Sequence, residues 1–341
     1  MTTDPCAAAR RDLLLRHLGT WLSTLHRSRR ATFVQAYAGA DAGTADAALR
    51  VIAASADLPS GCHLTVVTLA GPADGGPAAG RDPLDLATRL GAAQAALPAG
   101  VSVHLLPGGA QRIPVALAAA SAARAPLFVY LDHVAEQVPD PTVWRAMAAG
   151  HPTEILLLST AGARGAGGPS SAPDASELPL VTMVDLVPGS DPAGGLVPGI
   201  DPAGGPGPDT ALGLFFATTS GKRIEAVKDA IWSVAAGNGM TLRDPRLTGG
   251  PSTQDPPPGS MTDRSGSLPE TLLARLTRTG PLTVAELRRF AVTETIHRAA
   301  DANRAVAELL AAGAARRRPE HGRLGGDVTI EPAVTPAIDT P

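Results

Sequence analysis

The sequence predicts an α/β fold, a doubly wound Rossmann-like sheet with a small C-terminal domain. From residue 32 onward, short β-branched or apolar runs alternate with Ala-rich helical stretches, a pattern typical of parallel strands joined by crossover helices. After residue 267 three short helices precede a hairpin, which is the winged-helix pattern. Hydrophobic residues make up 44% of the 341, enough for a sizeable core.

The first element is an amphipathic helix within residues 1–30, and we expect it to pack on the main domain. Its apolar residues recur at helical spacing on one stripe: Leu14, Leu18, Trp21, Leu22 and Leu25. Arginines surround this stripe: Arg10, Arg11, Arg16, Arg27, Arg29 and Arg30. They indicate either a solvated helix face or a basic patch that faces a polyanion.

Residues 31–240 form the predicted Rossmann-like domain. Strands are predicted at 32–37, 63–69, 101–106, 127–131, 154–159 and 212–218. Helices are predicted at 44–56, 82–97, 111–124, 139–149 and 222–236. In such sheets ligands bind beyond the carboxyl ends of the strands, so the loops that follow the strands are the places for a site.

Gly/Pro-rich segments interrupt this alternation. Insertions are predicted at 161–178 and 187–209, and the second contains a direct repeat, VPGSDPAGG at 187–195 and VPGIDPAGG at 197–205. Residues 241–267 are predicted to be a linker between the two domains.

The winged-helix-like domain is predicted over residues 268–331, with a disordered tail at 332–341. Its helices are expected at 270–278, 283–290 and 302–311, and its hairpin at 314–330. Residues 268–330 contain ten arginines and seven acidic residues. This modest positive excess favours either phosphate contact or protein docking. The candidate nucleic-acid-binding residues are Arg304, Arg316, Arg317 and Arg318.

Composition argues against several other classes of protein. No uncharged apolar run approaches 18 residues, which argues against a membrane span. The two cysteines, Cys6 and Cys62, have no metal-ligand spacing, so neither a metal site nor a disulfide framework is expected. The N-terminus has no apolar stretch typical of a signal peptide, which favours a cytoplasmic location.

The first strand leads into a turn with spaced glycines and then a helix. The candidate cofactor-binding residues in this segment are Tyr37, Gly39, Asp41 and Gly43. Glycines let a backbone approach a nucleotide or S-adenosylmethionine, and a helix N-terminus offers unpaired amides. A tight strand-to-helix turn would have the same residues without a ligand.

The fourth strand ends in Asp132, the candidate catalytic residue. A carboxylate there lies at the mouth of the crevice, where it could bind an amine or accept a proton. The neighbouring His133 is either its partner or a plain loop histidine.

Several segments together resemble the three-Cys-motif partner protein family (TcmP), which is similar to class I S-adenosylmethionine-dependent methyltransferases. They are GTADAALRVI at 43–52, PLFVYLDH at 126–133, TEILLLST at 153–160 and LFFATTSGKRIEAVKDAIWSV at 214–234. The resemblance implies a methyltransferase-type sheet, S-adenosylmethionine as cofactor and a partner protein that bears the three-Cys motif. In this resemblance Tyr37 to Gly39 match the family's Phe-Ala-Gly, and Thr218, Lys228 and Trp232 match the last strand and helix.

The chain departs from the family where the cofactor is expected to bind. Gln35 replaces an acid, and Thr68 to Gly71 contain no acid for the ribose hydroxyls. Pro107 to Ala110 likewise contain none for the adenine, and His133 to Ala135 replace Pro-Phe-Gly. Because each charge-assisted hydrogen bond contributes about 1.5–3 kcal/mol, losing two or three shifts a micromolar site toward millimolar. We therefore expect a degenerate pseudoenzyme that acts with a partner. An active methyltransferase on nucleic acid, a nucleic-acid-binding module and a purely protein-binding scaffold are the alternatives.

Overall fold

The computed structural model describes residues 4–37, 42–55, 61–70, 83–133, 139–160, 178–189, 211–247 and 267–333. The helices are α1 (Pro5–Leu22), α2 (Ala42–Ala54), α3 (Pro83–Gln94), α4 (Ile113–Ala119), α5 (Pro141–Ala148), α6 (Gly221–Gly237), α7 (Leu268–Thr279), α8 (Val284–Glu294) and α9 (Ala299–Ala311). The strands are β1 (Arg30–Tyr37), β2 (His63–Ala70), β3 (Val101–Pro107), β4 (Leu127–His133), β5 (Thr153–Thr160), β6 (Leu180–Pro188), β7 (Leu212–Thr218), β8 (Met240–Arg243), β9 (Leu282–Thr283), β10 (Ala315–Arg318) and β11 (Thr329–Pro332).

Eight strands form one sheet in the order β3-β2-β1-β4-β5-β7-β6-β8. The pairs from β3 to β5 are all parallel, whereas β7 runs antiparallel to both β5 and β6. The chain therefore has a mixed α/β fold whose first five strands follow the doubly wound order. All six strands predicted from the sequence are present.

Helices cover both faces of this sheet. On the first face α1, α2 and α6 bury Trp21, Phe33, Phe128 and Phe216 in one core. On the second face α4 and α5 bury Ile113, Trp144 and Met147 in another core. Side chains alternate along β4, so Phe128 and Tyr130 belong to the first core and Val129 to the second.

Two strands of the sheet lie where the sequence pattern predicts no strand. β6 includes Val187 and Pro188, which fall in the predicted 187–209 insertion, and β8 occupies the beginning of the predicted 241–267 linker. An acidic residue inside a strand is unfavourable unless it is paired, and Asp185 of β6 pairs with Arg243 of β8 at 3.3 Å. Tertiary pairing therefore builds this edge of the sheet. Residues 161–177 and 190–210 lie outside the described residues.

Helices α7, α8 and α9 pack against a three-stranded antiparallel sheet with the order β10-β11-β9. α7 ends before Gly280, whose φ of +84° favours glycine. α8 begins with a capping box in which Thr283 and Glu286 bond each other's backbone amides, and these bonds hold the pKa of Glu286 below its usual value. Residues 334–341 of the predicted tail lie outside the described residues.

Candidate functional site

The strand order places a topological switch point between β1 and β4, because the chain proceeds from β1 to β2 and β3 on one side and from β4 to β5 on the other. Tyr37, the last residue of β1, is in register with Ala70 of β2 and Asp132 of β4. These three positions form the carboxyl edge at the switch point. Gly43 lies in the first turn of α2, whereas Gly39 and Asp41 lie outside the described residues.

Asp132 contacts two side chains at this edge. Nη1 of Arg10, on α1, lies 3.4 Å from Oδ1 of Asp132, and the Tyr130 hydroxyl donates to Oδ2 at 3.5 Å. The Asp132 side chain is only 15% exposed. The N-terminal helix therefore places a cation directly on the candidate catalytic carboxylate, a contact that the spacing of its arginines does not predict.

Two register positions before this edge, Gln35 and Thr68 form a buried polar pair. The Gln35 amide Nε2 donates to the Thr68 hydroxyl at 2.8 Å, and both residues are completely buried. The resemblance noted in the sequence predicts an acid at position 35. Its side chain bonds a neighbouring strand inside the first core, so it does not offer a carboxylate to a ligand at the edge.

The resemblance predicts that S-adenosylmethionine binds at this edge, but the residues described there do not fit this cofactor. β2 ends in Thr68, Leu69 and Ala70, none of which is a carboxylate for ribose hydroxyls. Asp132 is paired with Arg10, and Gln35 is bonded to Thr68. Among the described residues of β1, β2 and β4, Asp132 is therefore the one carboxylate at this edge, and Arg10 already contacts it.

A buried charged cluster at the opposite end of β5 is absent from the sequence-based prediction. Glu154 is fully buried between His17 of α1 and Arg223 of α6, with distances of 2.7 Å from Oε2 to His17 Nε2 and 3.1 Å from Oε1 to Arg223 Nε. The rings of Phe128 and Phe216 pack edge-on against the His17 imidazole. Because the cluster is closed off from solvent, it joins α1, β5 and α6 and does not form a ligand site.

Lys228 and Trp232, which match the TcmP pattern, lie on α6 against the C-terminal domain. Lys228 Nζ donates to the Thr295 carbonyl at 2.7 Å, and Trp232 Nε1 donates to the Ile296 carbonyl at 2.9 Å. Arg246 Nη2 similarly donates to the Thr293 carbonyl at 3.0 Å. These three donors satisfy carbonyls at the C-terminal end of α8, so these residues fix the C-terminal domain to the sheet.

Burial changes the acidity of two groups at this junction. Lys228 is completely buried, and desolvation lowers its pKa to about 7 despite the opposing effect of Asp244. Burial also lowers the pKa of His297, which lies beside Trp232. A lysine in this position can still donate its hydrogen bond to the Thr295 carbonyl after it has lost its proton.

The predicted nucleic-acid-binding arginines are divided between α9 and β10. Arg304 is 67% exposed and lies 3.4 Å from Asp301, while Arg318 is 74% exposed and lies 3.2 Å from Glu331. Arg316 is exposed on β10. The Arg317 guanidinium donates to three backbone carbonyls of the loop that follows, those of Pro319, Gly322 and Arg323.

Two predicted absences can be compared with the described part of the chain. Among these residues no group of three or more His, Cys, Asp or Glu side chains is placed to hold a metal ion. No helix there has the length and apolar character required to cross a bilayer.

Comparison with known proteins gives a distant structural likeness. No family model matches the sequence. No curated protein matches it either. Among solved structures, the chain is similar to a protein from Thermobifida fusca YX described as a "putative methyltransferase". The two are 14% identical with a TM-score of 0.32, and the match covers 62% of this chain and 81% of that chain.

Proposed function

We propose that this chain is a TcmP-like protein with a degenerate methyltransferase-type fold, which binds S-adenosylmethionine weakly or not at all and acts with a partner protein. The strand arrangement supports the scaffold, because an antiparallel β7 between β5 and β6 extends the doubly wound order as in class I methyltransferases. The resemblance noted in the sequence implies that the partner bears the three-Cys motif.

The observation that carries this proposal is the buried Gln35 to Thr68 hydrogen bond. An acid at position 35 would bury a negative charge, which is unfavourable without a cation or several hydrogen-bond donors, whereas the Gln35 amide donates to Thr68 within the sheet. The position at which the resemblance implies an acid therefore holds a side chain that is bonded within the sheet. Arg10 similarly neutralises Asp132 from within the chain.

We expect calorimetric titration with S-adenosylmethionine, and with S-adenosylhomocysteine as a second ligand, to give dissociation constants in the millimolar range or weaker. Loss of two charge-assisted hydrogen bonds, at about 1.5–3 kcal/mol each, accounts for a change of about a thousandfold from a micromolar site. The same two ligands should leave the thermal unfolding midpoint unchanged.

A micromolar dissociation constant would contradict this proposal. If the Asp132→Ala variant then lost methyl transfer while keeping the wild-type unfolding midpoint, Asp132 would be catalytic and the chain an active methyltransferase. If the variant kept the activity, Asp132 would have no part in the reaction.

The exposed arginines Arg304, Arg316 and Arg318 favour a second candidate, a winged helix that binds nucleic acid. Such binding would weaken with salt, with a log-log slope of about −0.9 per phosphate contact on duplex DNA. Replacing Arg316, Arg317 and Arg318 by Gln would make the slope shallower in proportion to the phosphates that these side chains neutralise. Because Arg317 is bonded to loop carbonyls, we expect this strand to neutralise at most two phosphates.

Fluorescence anisotropy of a labelled 20-base-pair duplex at increasing salt measures that slope. Under the partner-binding proposal, the wild-type protein should bind no more tightly than is usual for nonspecific contacts, about 1–100 μM at physiological salt. Tight binding whose slope falls in the triple variant would favour the nucleic-acid function instead.

A further inference from the structure

The outer edge of β10 is open in the part of the chain that the structure describes. β10 pairs with β11 on one side, and no described strand pairs with its other side. The bond from the Ala333 amide to the Ala314 carbonyl fixes the alternation of the ladder, so Arg316 and Arg318 bond β11 through their backbones. It follows that the N–H and C=O groups of Arg317 point away from β11, toward the open edge.

A groove of about 720 Å³ runs along this strand past the end of α9. Its lining combines Leu310 of α9, the β10 residues 315–318, Glu320 and Glu331. The hydrogen bonds from the Arg317 side chain to loop carbonyls fix the loop beyond β10, so the groove is shaped by a loop that is itself bonded to the strand. A short extended segment could lie here and exchange backbone hydrogen bonds with Arg317.

The charge of the groove selects the kind of segment. Three arginines and two glutamates line it, and one of the arginines, Arg318, is paired with Glu331. A basic edge strand repels a second copy of itself but attracts acidic side chains. Acidic residues on one face of an added strand would meet Arg316 and Arg318, which share the outward face of β10.

The neighbouring helix argues against nucleic acid as the occupant of this surface. The exposed residues of α9 are Ala300, Asn303, Arg304, Ala307, Glu308 and Ala311. They carry one cation and one anion, and a helix that enters a DNA groove needs several contacts to phosphates. β10 by contrast carries three consecutive arginines, Arg316 to Arg318, of which Arg316 and Arg318 are exposed.

We infer that β10 docks an acidic, extended segment of a partner protein, which adds to the C-terminal sheet as a fourth strand beside Arg317. This inference rests on the proposed function, in which the chain acts with a partner. It goes further by naming the surface and the chemistry of the segment that the surface accepts.

The test uses the full chain and a fluorescein-labelled peptide of eight residues with alternating Val and Glu. We expect fluorescence anisotropy to show saturable binding, weakened about tenfold or more in the Arg316→Glu/Arg318→Glu variant. Arg278→Glu, which reverses an exposed arginine at the end of α7, should change the affinity less than about twofold. Hydrogen exchange at the Arg317 amide should slow when the peptide is added.

A second peptide separates strand pairing from simple charge attraction. N-methylation of alternate amides keeps the glutamates but removes the backbone donors, and we expect it to weaken binding about fivefold or more. Equal binding of the methylated peptide, or of an alternating Val and Lys peptide, would overturn the inference. Three other results would also overturn the inference. The peptide could fail to bind at millimolar concentration, or it could bind only after residues 334–341 are deleted. The protein could also prefer a 20-base-pair duplex and lose that preference in the double variant.

This outcome is independent of the cofactor experiment. If neither the peptide nor S-adenosylmethionine binds, the docking surface is rejected and the proposal of a degenerate fold stands. Micromolar S-adenosylmethionine binding would instead reject the proposed function, whatever the peptide does.

Discussion

Replacing Glu154 with Gln is expected to lower the free energy of unfolding by about 3–5 kcal/mol, because the change leaves buried partners without their carboxylate. Glu154 is completely buried, and its two oxygens contact His17 and Arg223. The neutral amide keeps the volume of the side chain but cannot compensate the Arg223 guanidinium, which is only 12% exposed. Urea unfolding followed by circular dichroism measures this loss.

A matched control is Glu225→Gln, which removes a carboxylate of the same type on the same protein. Glu225 pairs with Arg288 at 2.9 Å, but the two side chains are 36% and 33% exposed. Exposed pairs contribute about 0–1 kcal/mol, so this variant should unfold close to the wild-type midpoint. If the free energy of unfolding fell equally in the two variants, burial of the Glu154 cluster would not make the loss of its carboxylate more destabilising. An Arg223→Met substitution should recover part of the Glu154→Gln loss, since it removes the uncompensated charge.

The stability of the protein is expected to rise with pH above neutrality because of Lys228. Its pKa is about 7 in the folded chain and 10.5 for an ordinary lysine, so between these values the unfolded chain binds more protons than the folded one. The free energy of unfolding therefore increases with pH, by about 1 kcal/mol per pH unit between the two pKa values. Below pH 7 both states carry the charge, and this dependence disappears.

Comparison with the Lys228→Met variant isolates this effect. The difference in unfolding free energy between wild type and variant should change by about 1–2 kcal/mol from pH 7.0 to pH 8.5, in favour of the wild type. His297, with a lowered pKa, contributes below its ordinary value of 6.5, and Cys6 and Cys62, with raised pKa values, contribute near 9 and above. These groups titrate outside the chosen range. A pH-independent difference would mean that Lys228 keeps an ordinary pKa.

Much of the fold could be predicted from the sequence because it depends on local patterns. The six β-branched or apolar runs became β1 to β5 and β7, since hydrophobic strands between Ala-rich helices can bury their side chains only in a covered parallel sheet. The leucine stripe predicted an N-terminal helix, and α1 buries Leu14, Leu18 and Trp21. The helix predicted at 283–290 became α8, which begins at the capping box of Thr283 and Glu286.

The candidate site could be predicted only in part. The position of Asp132 follows from the end of its strand, but its contact with Arg10 joins residues that are 122 positions apart. The pairing of Gln35 with Thr68 depends on which strands are neighbours and in what register, and no spacing in one chain encodes this. β6 could not be predicted because Asp185 becomes acceptable only when Arg243 is beside it.

By itself, the sequence determined the class of fold and the order of its main elements, because these are properties of residue type and periodicity. The tertiary structure decided which partners the buried polar and charged side chains have. Gln35 turned inward to Thr68, Arg10 covered Asp132, and Lys228 was buried against α8. Each of these depends on groups that are distant in the chain and are brought together by packing, where desolvation makes a partner necessary.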